Sequence, residues 1–577
     1  MAPIGLFSSL ASVGAAADPA DHEDHDRQDH YKRPYNVGSH DLQDRVSQRS
    51  THQHPCKGGT KQNFHGWGVY ADLDCDQALV ANRKKGGYEV SPRRVDPLPS
   101  DLIDLESMNL QRALELSRTK MASAHLEGPA IASFVSSLER IASGATGMIA
   151  EVSLEPVDSL PSLDSLPQAS PAARKLLSQL AVIKLNGGLG TGMGLDKAKS
   201  LIPVREGWNF LDFTARQILH LRSLPGGERL VFLLMNSFST RSDTLDHLAR
   251  YPDLALDGLL DFVQGKVPKV DAATLEAVSW PQDPELEWCP PGHGDLYPSL
   301  LGSGILDSLL SKGIRYLFVS NSDNLGASVD LALLEYFATS GYSFLMEVAE
   351  RTTSDRKGGH LARRREDQRL ILRESAQCPP EDAAAFQDIA RHRFFNTNNL
   401  WIQLEDLRKE LNRLGGSLPL PLIRNEKSVD PRNPASLKVL QLETAMGAAI
   451  ECFPKATAVV VDRRRFAPVK TTGDLLALRS DAYRVTEDYR LELIPSRRGI
   501  PPEIDLDSRH YKGIADFERA FSSGVPSLAL CDRLSVSGRF SISKDVICTG
   551  KVEWINSGTE TLSIAPGNYN SASGKPS

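Results

Sequence analysis

The chain has 577 residues, of which 41% are hydrophobic and 24% charged, and carries a formal net charge of −7. That length accommodates two or three domains, the composition is that of a globular protein, and the negative balance offers no attraction to nucleic acid. No apolar run approaches the ~20 residues of a membrane span, and seven cysteines without paired Cys-x-x-Cys spacing point to reduced thiols in the cytoplasm, not to disulfides or structural zinc.

Residues 1–100 differ from the rest. Seven of the fourteen histidines precede residue 66, and the stretch from Asp21 to His30 is charged with no apolar period. Such a tract is a solvated extension without fixed structure or, alternatively, a metal-binding segment. Residues 4–17 resemble the apolar part of a signal peptide, but no basic residues precede them and acidic ones follow at 18–26. That leaves organelle targeting as the alternative to a plain cytoplasmic extension. From Leu102 to about Ile149 the pattern becomes helical: Leu110, Ala113, Leu114 and Ser117 share a face, as do Phe134, Leu138 and Ile141. This defines a helical region over 101–175, which ends in a Pro/Ser/Leu linker at 156–171.

Directly after the apolar run Leu180–Leu185 come five glycines in eight positions, Gly187, Gly188, Gly190, Gly192 and Gly194, then Lys197 and Lys199. A strand that runs into a turn stripped of side chains brings backbone N–H groups close to an anion, and the lysines supply opposing charge. The spacing fits neither the P-loop nor the dinucleotide fingerprint: from Gly188 and Gly190, the place of the third glycine falls on Met193 and Leu195. The loop points to an enzyme acting on a phosphate-rich substrate.

The middle of the chain alternates helical stretches with apolar runs at Ala181–Leu185, Leu230–Met235, Tyr316–Ser320, Phe344–Val348, Asn399–Ile402 and Ala458–Val461. This predicts an α/β domain with a mixed sheet, whose ligands bind beyond the carboxyl ends of the strands. Polar clusters fall at those ends. Asp323, in Ser320-Asn-Ser-Asp-Asn324, suits either a Mg²⁺ ligand or an Asx turn. His293, in Pro290-Pro-Gly-His-Gly-Asp295, reaches a substrate phosphate or is merely exposed. The amides of Phe395-Asn-Thr-Asn-Asn399 match sugar hydroxyls or a uracil edge. Lys470 follows Pro468-Val and reads by default as a surface lysine.

Past the core, Leu534, Phe540, Val546 and Val552 recur every six residues, as do Val536, Ile542, Cys548 and Trp554. Two apolar ladders at that interval predict the rungs of a small β-helix, with a β-meander as the alternative.

Taken in order, Leu185-Asn-Gly-Gly-Leu-Gly-Thr191, Lys199-Ser200, Leu234-Met-Asn-Ser-Phe238, Pro290–Asp295, Val319–Gly326, Lys357-Gly-Gly359, Phe395–Trp401, Gln441–Ala445 and Pro468-Val-Lys-Thr-Thr472 resemble the UDP-glucose pyrophosphorylase family, the eukaryotic-type UTP–glucose-1-phosphate uridylyltransferases. The resemblance covers about residues 175–567. It implies a Rossmann-like nucleotidyltransferase domain over 176–480 and a left-handed β-helix over 481–577 that is able to form homo-oligomers, with UTP, glucose 1-phosphate and Mg²⁺ as substrates and cofactor. It implies nucleotide contacts at Leu185, Asn186, Gly187, Gly188 and Met193, uracil contacts at Gln264 and Gly292, triphosphate contacts at Lys199 and Lys470, and Mg²⁺ at Asp323. Lys199, Lys470 and Asp323 would form the catalytic set. His293, Asn321, Ser322, Glu347, Gly359 and Asn398 would line the sugar-phosphate side.

The chain departs from the family pattern at Leu195-Asp-Lys-Ala198, where Lys197 and Lys199 compete for one role, and at His360, where Thr is common. Leu-Asn-Gly-Gly at 185–188 favours glucose over the Leu-Ala-Gly-Gly of UDP-N-acetylglucosamine and broad UDP-sugar pyrophosphorylases. The alternatives are the same chemistry on galactose 1-phosphate or N-acetylglucosamine 1-phosphate, and a non-catalytic nucleotide-sugar-binding regulator.

Overall fold

All six apolar runs become strands of one ten-stranded sheet in the computed structural model, which describes residues 79–84, 87–92, 100–352 and 355–571. From one edge the order is Leu370–Arg373, His360–Arg364, Phe394–Gln403, Tyr316–Asn321, Leu180–Asn186, Val231–Asn236 and Asp261–Val263. Phe344–Glu350 pairs with Phe394–Gln403 and carries Ala456–Val460 on its other side, while Leu154–Glu155 pairs with His360–Arg364. The last four strands of the main order are mutually parallel. Phe394–Gln403 runs antiparallel to both of its long neighbours, so the sheet is mixed, as expected.

Strands buried on both faces read as continuous apolar runs, and Leu180–Asn186 is buried throughout. Its Ala181, Ile183 and Leu185 belong to one apolar cluster, and its Leu180 and Val182 to the cluster on the opposite face. The register brings the carboxyl ends level: Leu185 lies opposite Met235 and Asn321, and Asn236 lies opposite Asn186 and Val263. One edge of the sheet therefore gathers the ends of four parallel strands.

Four short strands of this sheet were not expected from the sequence, Leu154–Glu155, Asp261–Val263, His360–Arg364 and Leu370–Arg373. They are brief and, in part, charged, and they take their conformation from neighbours more than from propensity. Phe394–Gln403 begins five residues before the expected Asn399, and so absorbs the amide cluster into the sheet.

The described residues divide between Val95 and Asp96. Before the division, Leu79–Lys84 and Gly87–Pro92 form an antiparallel hairpin inside the stretch expected to lack structure. The histidine-rich tract and residues 4–17 lie outside the described residues. After the division come helices Ser100–Ser123 and Gly128–Ala142. Ala113, Leu114, Phe134, Leu138 and Ile141 are buried as the periodicity requires and pack on Val267, Val270, Leu422 and Leu440.

Beyond residue 500, Glu503–Leu506, Ser527–Ser537, Val546–Ile555 and Gly567–Tyr569 form a parallel sheet, and Phe540–Ile542 pairs in parallel with Leu562–Ile564. All eight residues of the two six-residue ladders are buried. Leu534 faces Val552 and Val536 faces Trp554, eighteen residues on, which is three of the six-residue steps. These side chains share a core with Met193, Ile202, Phe210 and Phe213, so this region packs against the segment that carries the glycine loop.

Candidate active site

The glycine loop leaves the sheet at Asn186 and folds back on itself. Gly188 O accepts from Lys199 N (3.1 Å), and Gly190 N donates to Lys197 O (3.1 Å). The side chain of Asn186 is turned inward, donating to Asn236 Oδ1 (2.8 Å) and Thr244 Oγ1 (2.9 Å), while Thr240 Oγ1 donates to Asn186 O (2.7 Å). Its contribution is to tie the loop's root to the end of the next strand. Met193 is likewise turned inward, into the apolar cluster under the C-terminal strands.

Gln264 follows Asp261–Val263 and lies over the loop. A Cβ on Gly187 would fall 2.6 Å from Gln264 Oε1, so glycine is what allows this approach. Next to it, Gly265 N donates to Asp295 (2.6 Å), which also accepts from Ser299 Oγ (2.6 Å). Burial pushes the Asp295 carboxyl up to about 6. Gly292 has φ of 77°, and a Cβ there would sit 2.4 Å from Thr444 O. No other residue fits that turn without strain. His293 follows, its Nδ1 accepting from Met446 N (3.0 Å). That bond places the ring proton on Nε2, and burial pushes the imidazole down to about 4. The ring is a neutral donor at pH 7.

Lys199 and Asp323 meet. Nζ lies 2.6 Å from Oδ2, with both side chains about one-fifth exposed. Lys197 is exposed, on the outside of the loop. Asp323 follows Tyr316–Asn321, and Ser322 N donates to Leu185 O (3.0 Å), so Leu185, Asn321, Ser322 and Asp323 adjoin the loop's root. Lys470 is exposed and lies near enough to Glu374 to act on its charge. Burial raises the Glu374 carboxyl and the Lys470 charge opposes that rise. Glu374 also backs Gly359, whose Cβ would meet its carboxylate at 2.5 Å. Asn398 takes a left-handed backbone conformation at φ 60° in a bulge of Phe394–Gln403, and its N–H donates to Asn396 Oδ1 (2.8 Å).

Glu347 sits beneath this surface. It is fully buried, and its carboxylate accepts from Trp401 Nε1 (3.0 Å), Asn399 Nδ2 (3.0 Å), Arg465 Nε (2.8 Å) and Arg465 Nη2 (2.7 Å). The family resemblance implies a place for this carboxylate on the sugar side, whereas here both of its oxygens accept from protein donors. Asn324, Arg465, Glu374 and the fully buried Lys184 were missed. Arg465 belongs to the run Arg463-Arg-Arg465, which looks like a solvated charge cluster. Lys184 interrupts an apolar strand with no local signal of what it meets, which is Ala327 O at 2.6 Å.

A carboxylate at a strand end, a lysine on a glycine loop and a neutral imidazole donor have the chemistry to hold a phosphorylated nucleotide. Among the described residues, no group of three or more His, Cys, Asp and Glu side chains gathers to hold a metal ion. A Mg²⁺ that keeps waters and shares substrate phosphates needs only one or two carboxylates, and Asp323 meets that requirement.

The family profile described as UTP–glucose-1-phosphate uridylyltransferase matches residues 132–549. The Saccharomyces cerevisiae protein of that name is 42% identical over 392 residues, covering 68% of this chain and 77% of that protein. A mutant of UDP-glucose pyrophosphorylase from Leishmania major, solved in complex with UDP-glucose, is 47% identical with a TM-score of 0.76, over 80% of this chain and 99% of that one. The Trypanosoma brucei structure named UDP-glucose phosphorylase is 49% identical with a TM-score of 0.73, over 79% and 97% respectively. The chain belongs to the UTP–glucose-1-phosphate uridylyltransferase family, and is a nucleotidyltransferase enzyme.

Proposed function

We propose that this chain makes UDP-glucose and pyrophosphate from UTP and glucose 1-phosphate. The observation that carries the reading is the meeting of Lys199 and Asp323 beside the Gly187–Gln264 contact, at the level ends of four parallel strands. Gln264 and the Gly292 turn take the uracil. Backbone N–H groups of Gly187 and Gly188 approach the phosphates, with Lys199 and Lys470 supplying charge. His293 Nε2, Asn321, Ser322, Gly359 and Asn398 face the sugar phosphate, His293 as a donor.

A phosphate oxygen of glucose 1-phosphate attacks the α-phosphorus of UTP, and the bond to the β-phosphate oxygen breaks to release pyrophosphate. The nucleophile is already an anion, so no general base is required. The work is positioning two mutually repelling anions and neutralising charge as it shifts to the leaving group. Asp323 would hold Mg²⁺, which supplies further neutralisation of the phosphates when bound.

Two further parts belong to this reading. The parallel stacking and the eighteen-residue pairing support a short left-handed β-helix at the C-terminus. Leu530, Ile547, Ile555 and Leu562 are exposed on it, consistent with homo-oligomer formation there. Among the described residues no helix is long and apolar enough to cross a membrane, and a cytoplasmic location remains part of the proposal.

The test is pyrophosphate release from UTP and Mg²⁺ with glucose 1-phosphate, galactose 1-phosphate and N-acetylglucosamine 1-phosphate in parallel. Release with glucose 1-phosphate at the highest kcat/KM is expected. A preference for another sugar overturns the substrate, and no release with any of them overturns the reaction.

A further inference from the structure

Asp323 and Lys470 approach the site from segments far apart in sequence, yet the two segments are clasped together immediately behind them. Asn324, 1% exposed, uses its whole amide for this. Its Nδ2 donates to Arg465 O (3.1 Å) and Asn399 Oδ1 (3.4 Å), and its Oδ1 accepts from Ala467 N (3.0 Å). The backbones of Asn324 and Pro468 form an antiparallel bridge. Two residues on, a Cβ on Gly326 would lie 2.2 Å from Arg464 O, so the chains touch with no room for a side chain. Arg465 completes the clasp by donating to Ser328 O (2.8 Å) while it holds Glu347 on its other side.

We propose that Asn324 is a positioning residue that fixes the separation of Asp323 from Lys470 across the reacting phosphates. This rests on the reading of those two side chains given above. Asp323 is the residue before the clasp, and Lys470 comes three residues after Ala467, preset by Pro468. Nucleotidyl transfer leaves the protein little to do beyond placing charges, and a misplacement of about 1 Å costs on the order of 10²-fold. The contacts of Gly187, Gly188 and Gln264 to UTP lie outside the clasp and survive its loss, whereas the charges that Asp323 and Lys470 bring to the phosphates are displaced with it.

The experiment is a double-mutant cycle in the full chain with Asn324→Ala, Lys470→Ala and the double variant, run with a Mg²⁺ titration. Asn324→Ala is expected to lower kcat by about 10²-fold and raise the Mg²⁺ concentration for half-activation, with a smaller rise in KM for UTP. The penalty of Lys470→Ala should shrink markedly in the Asn324→Ala background, because a lysine already displaced has less to lose. If Lys470→Ala slows the native background but costs the same in both, Asn324 is only a packing residue and the proposal falls. If neither Lys470→Ala nor Asp323→Ala alone slows turnover, the reading of the site falls first. Should Asn324→Ala fail to fold, Asn324→Ser enters the same cycle and the same two outcomes decide.

Discussion

The Nζ of Lys199 and a carboxylate oxygen of Asp323 stand 2.6 Å apart, so the expected triphosphate ligand and the expected metal ligand are each other's partners. Neither group is fully withdrawn from water, and a triphosphate brings far more negative charge to the lysine than one carboxylate does. Substrate binding therefore exchanges partners within a pair that is already placed. The pair also settles which lysine of the loop faces inward, since Lys197 points to solvent.

Lys199→Ala is expected to lose on the order of 10²–10³ in turnover, the usual cost of removing a preorganised charge from the transition state. Lys197→Ala should stay within several-fold of the native rate. Initial rates at saturating UTP and glucose 1-phosphate compare the two. A crippled Lys197→Ala beside a healthy Lys199→Ala would reverse the assignment.

Asp323→Ala is expected to abolish Mg²⁺-dependent turnover without unfolding the chain, because the side chain is partly exposed and its loss leaves only Lys199 unpaired. Chelation by EDTA should silence the native enzyme, and added Mg²⁺ should restore it. A variant that kept a near-native rate with the same Mg²⁺ response would make Asp323 a turn residue.

Gly187→Ala places a methyl group 2.6 Å from Gln264 Oε1, forcing that side chain away from the base site. KM for UTP should rise about tenfold, equivalent to ~1.4 kcal/mol, with KM for glucose 1-phosphate nearly unchanged. Gly188→Ala meets nothing within 4 Å and leaves the protein undisturbed, so any rise in KM for UTP there measures the phosphates' own approach to the backbone. An unchanged KM in both variants would remove the loop from the nucleotide site.

Lys184 gives a pH-dependent stability. Burial lowers its ammonium from 10.5 to about 7, with the Arg465 charge adding to the effect and those of Glu347 and Asp323 opposing it. Between pH 7 and 10.5 the unfolded chain holds a proton that the folded chain has released, so this residue's contribution to stability rises with pH through that window and is lowest below it. Lys184→Met removes the dependence. Urea unfolding of both proteins at pH 7, 8, 9 and 10 should show the native chain gaining on the variant, by at most ~1.4 kcal/mol per pH unit. A constant difference would mean that the ammonium is not penalised by its surroundings.

The sheet was legible because its central strands are buried on both faces and leave unbroken apolar runs such as Leu230–Met235. The eight ladder residues were legible for the opposite reason, a strict repeat that only regular stacking explains. What escaped was set by partners distant in sequence. Asn324 looks like any turn asparagine until Ala467 and Arg465 are seen beside it. Glu347 looks like a strand-end carboxylate awaiting a ligand, yet Arg465, Asn399 and Trp401 claim it from more than fifty residues away. Asn186, within the most recognisable motif of the chain, turns out to hold Asn236 and Thr244. A motif marks where chemistry gathers without saying which of its side chains face outward.

The C-terminal ladders carry one more consequence. Leu534 faces Val552 at a separation of eighteen residues, but Phe540 faces Leu562 at twenty-two. The four extra residues are looped out at one corner, where Asn556 Nδ2 donates to Arg539 O (2.8 Å) and Glu560 O (2.7 Å) and staples the detour shut. Length can thus drift at the corners at little cost, whereas one residue gained or lost within a face would turn its inward side chains out to water. Insertions and peptide tags have a natural place at 557–561, and none along 546–555.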